Sequence, residues 1–447
     1  MRRGSLLIAL AVVLAGATPA HADDPLRGQQ WGMTMVHADE AHATTTGAGA
    51  TVAVVDTGAY FAHPDLQGRL IAGRDFVQGD DDPQDGEGHG THVAGIVAAN
   101  TDNGIGVESV APGAKVLVVR VLGDDGSGST DDVIAGIDWA VAHGADVLNL
   151  SLGPDPPILG NDPNFDAAID RALDRGVIVV AAAGNSGLPV CEQPSGSGRL
   201  LCVGAVDRNQ GKAFYSSFGD GLGISAPGGA AFGPITDDIL STYAKTSASE
   251  PSLGPYEYLA GTSQATPHVA GVAALLVSLG VRGQAAVERI LQTAHDVGMP
   301  GPDPVYGAGI VDARAAVAGL ARPGAGGGGS GGAGGGATGG SGSAARVSLA
   351  RVQRIRSVLR RGIVVRCTAA GAGRCKVRAY LSPRRIASGS HALTAGRVAV
   401  VHAHLTARGR ARLLANLRRR HPRTLRASVY VALPGARTQK RTVLLKP

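Results

Sequence analysis

Between Asp23 and Ala321 the chain repeats one pattern: a short run of nearly continuous Val, Leu and Ile, then a longer stretch with helical spacing. The runs cover 51–56, 115–122, 146–150, 177–181 and 201–206. A strand that is apolar at successive positions is buried on both faces, as in a parallel sheet covered by crossover helices. Thr130-Asp131-Asp132 opens one such helix, reaching about His143 with Gly144 as its stop, and 164–175 forms another that Gly176 ends. The expected architecture is α/β, a doubly wound parallel sheet with helices on both faces.

The chain has 447 residues, 44% of them hydrophobic and 17% charged, which excludes wholesale disorder. Its formal charge of +6 conceals two opposite parts: residues 346–447 hold 25 of the 42 Lys and Arg and none of the 36 Asp and Glu. Residues 323–345 separate the two and contain 13 of the 67 glycines. With no apolar anchor this segment reads as a flexible linker. Beyond it, Leu425, Ala427, Val429, Val431 and Leu433 recur at every second position, and Val398, Val400 and His402 alternate similarly, predicting a small β domain.

At the other end, Arg2 and Arg3, the apolar run 6–17 and Ala20-His21-Ala22 read as a secretory signal over residues 1–22, cleaved before Asp23. The apolar core is too short to span a bilayer, and later candidates such as 269–281 break off within about 13 positions. Cys191 with Cys202, and Cys367 with Cys375, form two local pairs, expected as disulfides in an exported chain. Neither pair has the neighbouring ligands a zinc site needs.

In an open parallel sheet, reacting groups collect outside the carboxyl ends of strands. Asp56 ends the run VAVVD and is followed by Thr57-Gly58, placing a carboxylate where it can orient an imidazole. An aspartic protease would need a second Asp-Thr/Ser-Gly, and none occurs. His89 lies in Gly88-His89-Gly90-Thr91-His92-Val93-Ala94-Gly95 at the start of a helical run, with His92 turned toward tight packing. Asn185 follows a strand in Ala183-Gly184-Asn185-Ser186-Gly187, where its amide can approach a substrate. Ser263 opens a buried helix in Gly261-Thr262-Ser263-Gln264, with Pro267 expected to be tolerated near the first turn. A helix start offers both a free N–H and a dipole to developing negative charge.

Asp, His, Asn and Ser in this order, with VAVVDTG, HPDL, HGTHVAG, AAGN and GTS around them, resemble the subtilisin-like serine proteases over residues 24–318. The resemblance implies that Asp56 orients His89, that His89 takes the proton of Ser263, that Ser263 attacks a peptide carbonyl, and that Asn185 stabilises the oxyanion. It makes Ser151, Leu152 and Gly153 the edge that pairs with an extended peptide. It also implies a structural calcium ion, because Asp24, Asp65 and Asn103 match positions the family uses and 100–107 resembles its binding loop. No cofactor is expected for the chemistry.

The chain departs from the family at three places. Gln264 follows the nucleophile where methionine is common, almost nothing separates the signal from the catalytic part, and the loop 186–201 carries a cysteine that pins part of the substrate pocket. Asp85 and Glu87 beside His89 hint at basic substrates. The implied protein is a secreted, monomeric serine endopeptidase acting on proteins or peptides. Its domains are 23–322 and a basic β-rich unit, 346–447, which attracts an anionic wall polymer or membrane surface, or its own acidic partner domain. It carries no nucleic-acid recognition motif. Two other readings are an inactive polyanion-binding surface protein, against which the four intact positions argue, and a maturation protease resembling mycosins, whose members close on an apolar span where this chain is arginine-rich.

Overall fold

A computed structural model describes residues 24–153, 162–193 and 199–321, and in the C-terminal part residues 346–348, 352–355, 358–359, 363–368, 373–381, 384–393, 399–406, 410, 413–415, 425–432 and 439–446. The signal segment and the glycine-rich linker of the sequence reading lie outside these residues. The chain divides into two compact units, 1–328 and 329–447.

The first unit is built on a parallel sheet of seven strands: β1 (Thr51–Asp56), β2 (Leu70–Asp75), β3 (Lys115–Arg120), β4 (Val147–Leu150), β5 (Ile178–Ala182), β6 (Leu201–Val206) and β7 (Leu222–Pro227), in the order β2-β3-β1-β4-β5-β6-β7. The apolar runs of the sequence are its centre. Val52, Val54, Val116, Val118, Ile178 and Val180 face one core, and the alternating Ala53, Val55, Leu117, Val119, Val179 and Ala181 face the other. Two cores, one on each face, are what continuous apolar strands require. On the first face lie α3 (His89–Ala98) and α6 (Thr262–Ser278), and on the second α4 (Thr130–Ala142) and α5 (Pro163–Asp174). Shorter helices α1 (Trp31–Met35), α2 (Ala38–His42) and α8 (Ala313–Val317), together with α7 (Gly283–Thr293), complete the first layer.

Local chemistry sets the helix starts. Ser129 accepts the Asp132 N–H at 3.1 Å ahead of α4, and Asp162 accepts the N–H groups of Asn164 and Phe165 ahead of α5, with Pro163 in the first turn. An antiparallel hairpin, β8 (Ile239–Thr242) and β9 (Tyr256–Leu259), braces α3: Ser241 Oγ donates to His92 O at 2.9 Å and Thr242 Oγ1 to Thr91 O at 2.7 Å. Among the described residues no single helix is long and apolar enough to cross a bilayer.

The second unit is an eight-stranded sheet, order β10-β12-β15-β14-β13-β16-β17-β11. Its strands are β10 (Arg346–Ser348), β11 (Val352–Arg354), β12 (Ile363–Thr368), β13 (Gly373–Leu381), β14 (Arg384–Leu393), β15 (Ala399–Leu405), β16 (Leu425–Ala432) and β17 (Gln439–Lys446). Ala427, Val429 and Val431 enter its core, as the two-residue period indicated. In β15 the core residues are Ala403 and Leu405, of the opposite parity to the Val400 and His402 series, while Val398 and Leu433 lie outside the described residues. Disulfides join Cys191 to Cys202 and Cys367 to Cys375.

At the carboxyl end of β3, Arg120 is 4% exposed and bonds Asp75 of β2 at 2.7 Å, with Asp75 fully buried. Removing one partner of a buried pair strands the other charge. Arg120→Met is therefore expected to lower unfolding free energy by about 3–5 kcal/mol, measured by urea unfolding followed by tryptophan fluorescence. Trp31 and Trp139 both lie in the first unit, so the signal reports on that unit alone.

Candidate active site

The strand order places β1 between β3 and β4, so the chain leaves β1 in one direction and returns on its other side. Such a reversal opens a crevice at the carboxyl ends. Asp56 is the last residue of β1, with no exposed surface. Its Oδ1 accepts the Thr57 N–H at 2.8 Å and bonds His89 Nδ1 at 2.7 Å.

His89 is the first residue of α3 and presents a side chain 24% exposed. Gly88 before it has φ of 119°, and a Cβ there would overlap the Tyr243 ring, so only glycine allows this approach to the helix. Asp85, 8% exposed, locks the turn to β1. It accepts hydrogen bonds from Thr57 Oγ1 at 2.9 Å, Gly88 N at 2.7 Å, Thr91 N at 2.9 Å and Thr91 Oγ1 at 2.5 Å. This corrects the hint that Asp85 meets substrate: it faces inward and serves the scaffold. Glu87 accepts the His89 N–H at 2.6 Å and lines the cleft. Burial acts to lower the His89 pKa, but the charges of Asp56, Glu87 and Asp85 and the Asp56 hydrogen bond outweigh it and raise the value to about 9.

Ser263 is the second residue of α6. Its Oγ donates to Ser151 O at 3.1 Å, and Ser151 Oγ donates to Ser263 O at 2.7 Å. Among the described residues no hydrogen bond joins His89 to Ser263, whose hydroxyl is engaged by Ser151 O. Pro267 lies in the helix interior, beyond the first turn the sequence suggested. Having no N–H, it leaves the Ser263 carbonyl without its helical partner, and Ser151 Oγ supplies the missing donor.

Asn185 follows β5, and its Oδ1 accepts both the Thr262 N–H and Thr262 Oγ1 at 2.9 Å. That fixes the amide and turns Nδ2 the other way. A Cβ on Gly261 would lie 3.4 Å from Asn185 Nδ2 and 3.6 Å from Ser263 N, so both donors border one small space. Gln264 is 2% exposed, and among the described residues its Nε2 has no hydrogen-bond partner.

A cleft of about 840 Å³ runs past these groups, lined among others by Thr57, His89, Ser151, Leu152, Gly153 and Gln193. Gln193 escaped the sequence reading. Its Nε2 donates to Leu152 O at 2.6 Å and Ala182 O at 2.9 Å, bridging the ends of β4 and β5. No spacing rule links a residue of the 186–201 loop to those carbonyls.

His92 stands apart from the site. Burial pushes its pKa down to about 3, and Nε2 bonds the carbonyls of Ile239 at 3.0 Å and Glu257 at 3.1 Å, the contacts of a neutral core histidine. Asp24, Asp65 and Asn103 do come together elsewhere: Asp24 Oδ1 accepts the Asn103 N–H at 2.9 Å, and Asn103 Nδ2 donates to Asp65 Oδ1 at 2.8 Å. Both carboxylates are buried, and burial raises both pKa values, that of Asp65 to about 6. Among the described residues no cluster of three or more His, Cys, Asp or Glu could hold a metal.

A family model described as the subtilase family matches residues 47–309. Thermitase of Thermoactinomyces vulgaris is 39% identical over 296 residues, 66% of this chain and 98% of thermitase. Subtilisin Savinase of Lederbergia lenta is 42% identical over 289 residues, 64% of this chain and 97% of its own length. Among solved structures, one described as proteases from Pseudoalteromonas arctica PAMC 21717 matches with a TM-score of 0.58 and 36% identity, over 67% of this chain and 99% of its own.

The electrostatics of His89 give a pH test. An imidazole accepts a proton only when neutral, so a raised pKa moves the acid limb of kcat/KM upward. Glu87→Gln removes one of the charges that hold His89 protonated, and the acid limb is expected to move to lower pH. A limb that stays in place would show that Glu87 does not act on His89.

Proposed function

We propose, on the premise that this chain is a member of the subtilase family and a serine endopeptidase, that Ser263 is its nucleophile, His89 its general base and Asp56 the residue orienting the imidazole. The observation that carries this assignment is the 2.7 Å bond between Asp56 and His89 Nδ1, which leaves Nε2 as the basic nitrogen. Rotation of the Ser263 side chain away from Ser151 O brings the hydroxyl to that nitrogen, and attack on the peptide carbonyl passes the proton to His89. The oxyanion so formed is met by Asn185 Nδ2 and the Ser263 N–H at the positive end of α6. His89 then protonates the leaving amine, and water hydrolyses the acyl-enzyme by the same route. Ser151, Leu152 and Gly153, at the end of β4, supply the backbone edge for an extended peptide.

Ser263→Ala is expected to remove casein hydrolysis and labelling by a phosphonylating reagent together. Asn185→Ala is expected to lower kcat by about 10²–10³-fold, the scale known for this donor in subtilisin, with a smaller effect on KM. Full labelling of Ser263→Ala would overturn the assignment.

Export fits the N-terminal pattern and the two disulfides, which persist in oxidising surroundings. The basic unit, with 25 Lys and Arg and no acid, suits retention at an anionic surface. Asp24 and Asp65 suit a structural calcium ion: they are buried carboxylates with raised pKa values, hard oxygen ligands whose burial a divalent cation would relieve. A chelator is expected to lower the melting temperature of the first unit at pH 7.5, and an unchanged melting temperature would rule calcium out at this pair.

A further inference from the structure

Beside the oxyanion space lies a carboxylate with no part in the steps above. Glu192 is 4% exposed. Its Oε1 accepts the Ser186 N–H at 3.1 Å and the Ser217 hydroxyl, and its Oε2 accepts Ser186 Oγ at 3.1 Å. These donors are neutral, and among the described residues no Lys, Arg or His comes within ion-pair distance of Glu192. Hydrogen bonds satisfy the carboxylate but leave its charge unneutralised, so a cationic group brought beside it would gain an ion pair in a water-poor setting.

Its position says which cation. Gly184, next to Asn185, has φ of 103°, and a Cβ there would overlap the Glu192 carboxylate. The neighbouring Gln193 reaches across to Leu152 O and Ala182 O, lies 3.6 Å from where a Gly153 Cβ would stand, and lines the cleft, yet among the described residues its own Oε1 has no hydrogen-bond partner. Gln193 therefore spans the gap between the end of β4 and the end of β5, with the Glu192 carboxylate beside it against Gly184 and Ser186. A peptide with its reacting carbonyl at Ser263, its oxygen toward Asn185 and its backbone along 151–153 directs into that gap the side chain preceding the scissile bond. Among the described residues the cleft that Gln193 borders is lined by Glu87, Asp125 and Asp162 and by no Lys or Arg.

We propose that Glu192 is the specificity-determining residue of this gap and that the protein cleaves after lysine or arginine, whose cationic head pairs with Glu192 and donates to Gln193 Oε1. This rests on the assignment of Ser263 as nucleophile.

The experiment compares kcat/KM of the full chain on four peptides that differ only in the residue before the scissile bond: Arg, Lys, Leu or Phe. The basic peptides are expected to be cleaved at least tenfold better than the apolar ones, and Glu192→Gln is expected to reduce that ratio at least tenfold. A wild-type preference for Leu or Phe overturns the proposal, and this ranking decides the question even if the variant does not fold. A ratio unchanged by Glu192→Gln also overturns it, since a carboxylate that only braces its loop would affect all four peptides alike. Absence of hydrolysis of every peptide, with no phosphonylation of Ser263, would instead overturn the assignment of the nucleophile and this inference with it.

Discussion

The Asp56–His89 hydrogen bond is the contact around which the first unit is organised. A carboxylate without exposed surface costs several kcal/mol unless donors meet it. The fold supplies them by ending β1 at Asp56, turning the chain at Thr57 and delivering the first residue of α3 against the same oxygen. Asp85 ties that turn to that helix, and the β8–β9 hairpin holds the helix from behind.

Much of the fold was legible because buried parallel strands leave a coarse mark: five apolar runs correspond to β1, β3, β4, β5 and β6, with ends displaced by at most two residues. What escaped carries no such mark. β2 is an edge strand with Ile71 and Ala72 exposed and Gly73 at an irregularity in its register. β7 mixes Gly, Ser and Pro, and β8 and β9 are four residues each. At these places tertiary pairing, not local pattern, decides the conformation.

The candidate site divides along the same line. Asp56, His89, Asn185 and Ser263 were legible because each sits in a glycine-flanked turn with its own sequence signature. Gln193 was not, because its role depends on how a disulfide-anchored loop returns to two strand ends. The inward orientation of Asp85, the hydroxyl of Ser263 resting on Ser151, and Ser151 Oγ standing in for the N–H that Pro267 lacks are likewise products of packing between distant segments.

That distance also orders events in time. The bonds that set Ser263 in place span 112 residues to Ser151, and the one fixing the Asn185 amide spans 77. Non-local contacts in parallel sheets form late, after the entropy of closing long loops has been met. A partly folded chain can therefore possess α3 or β1 while the segments carrying Asn185 and Ser263 are still undocked. Spreading Asp56, His89, Asn185 and Ser263 along the sequence makes the complete site one of the last features of the first unit to form.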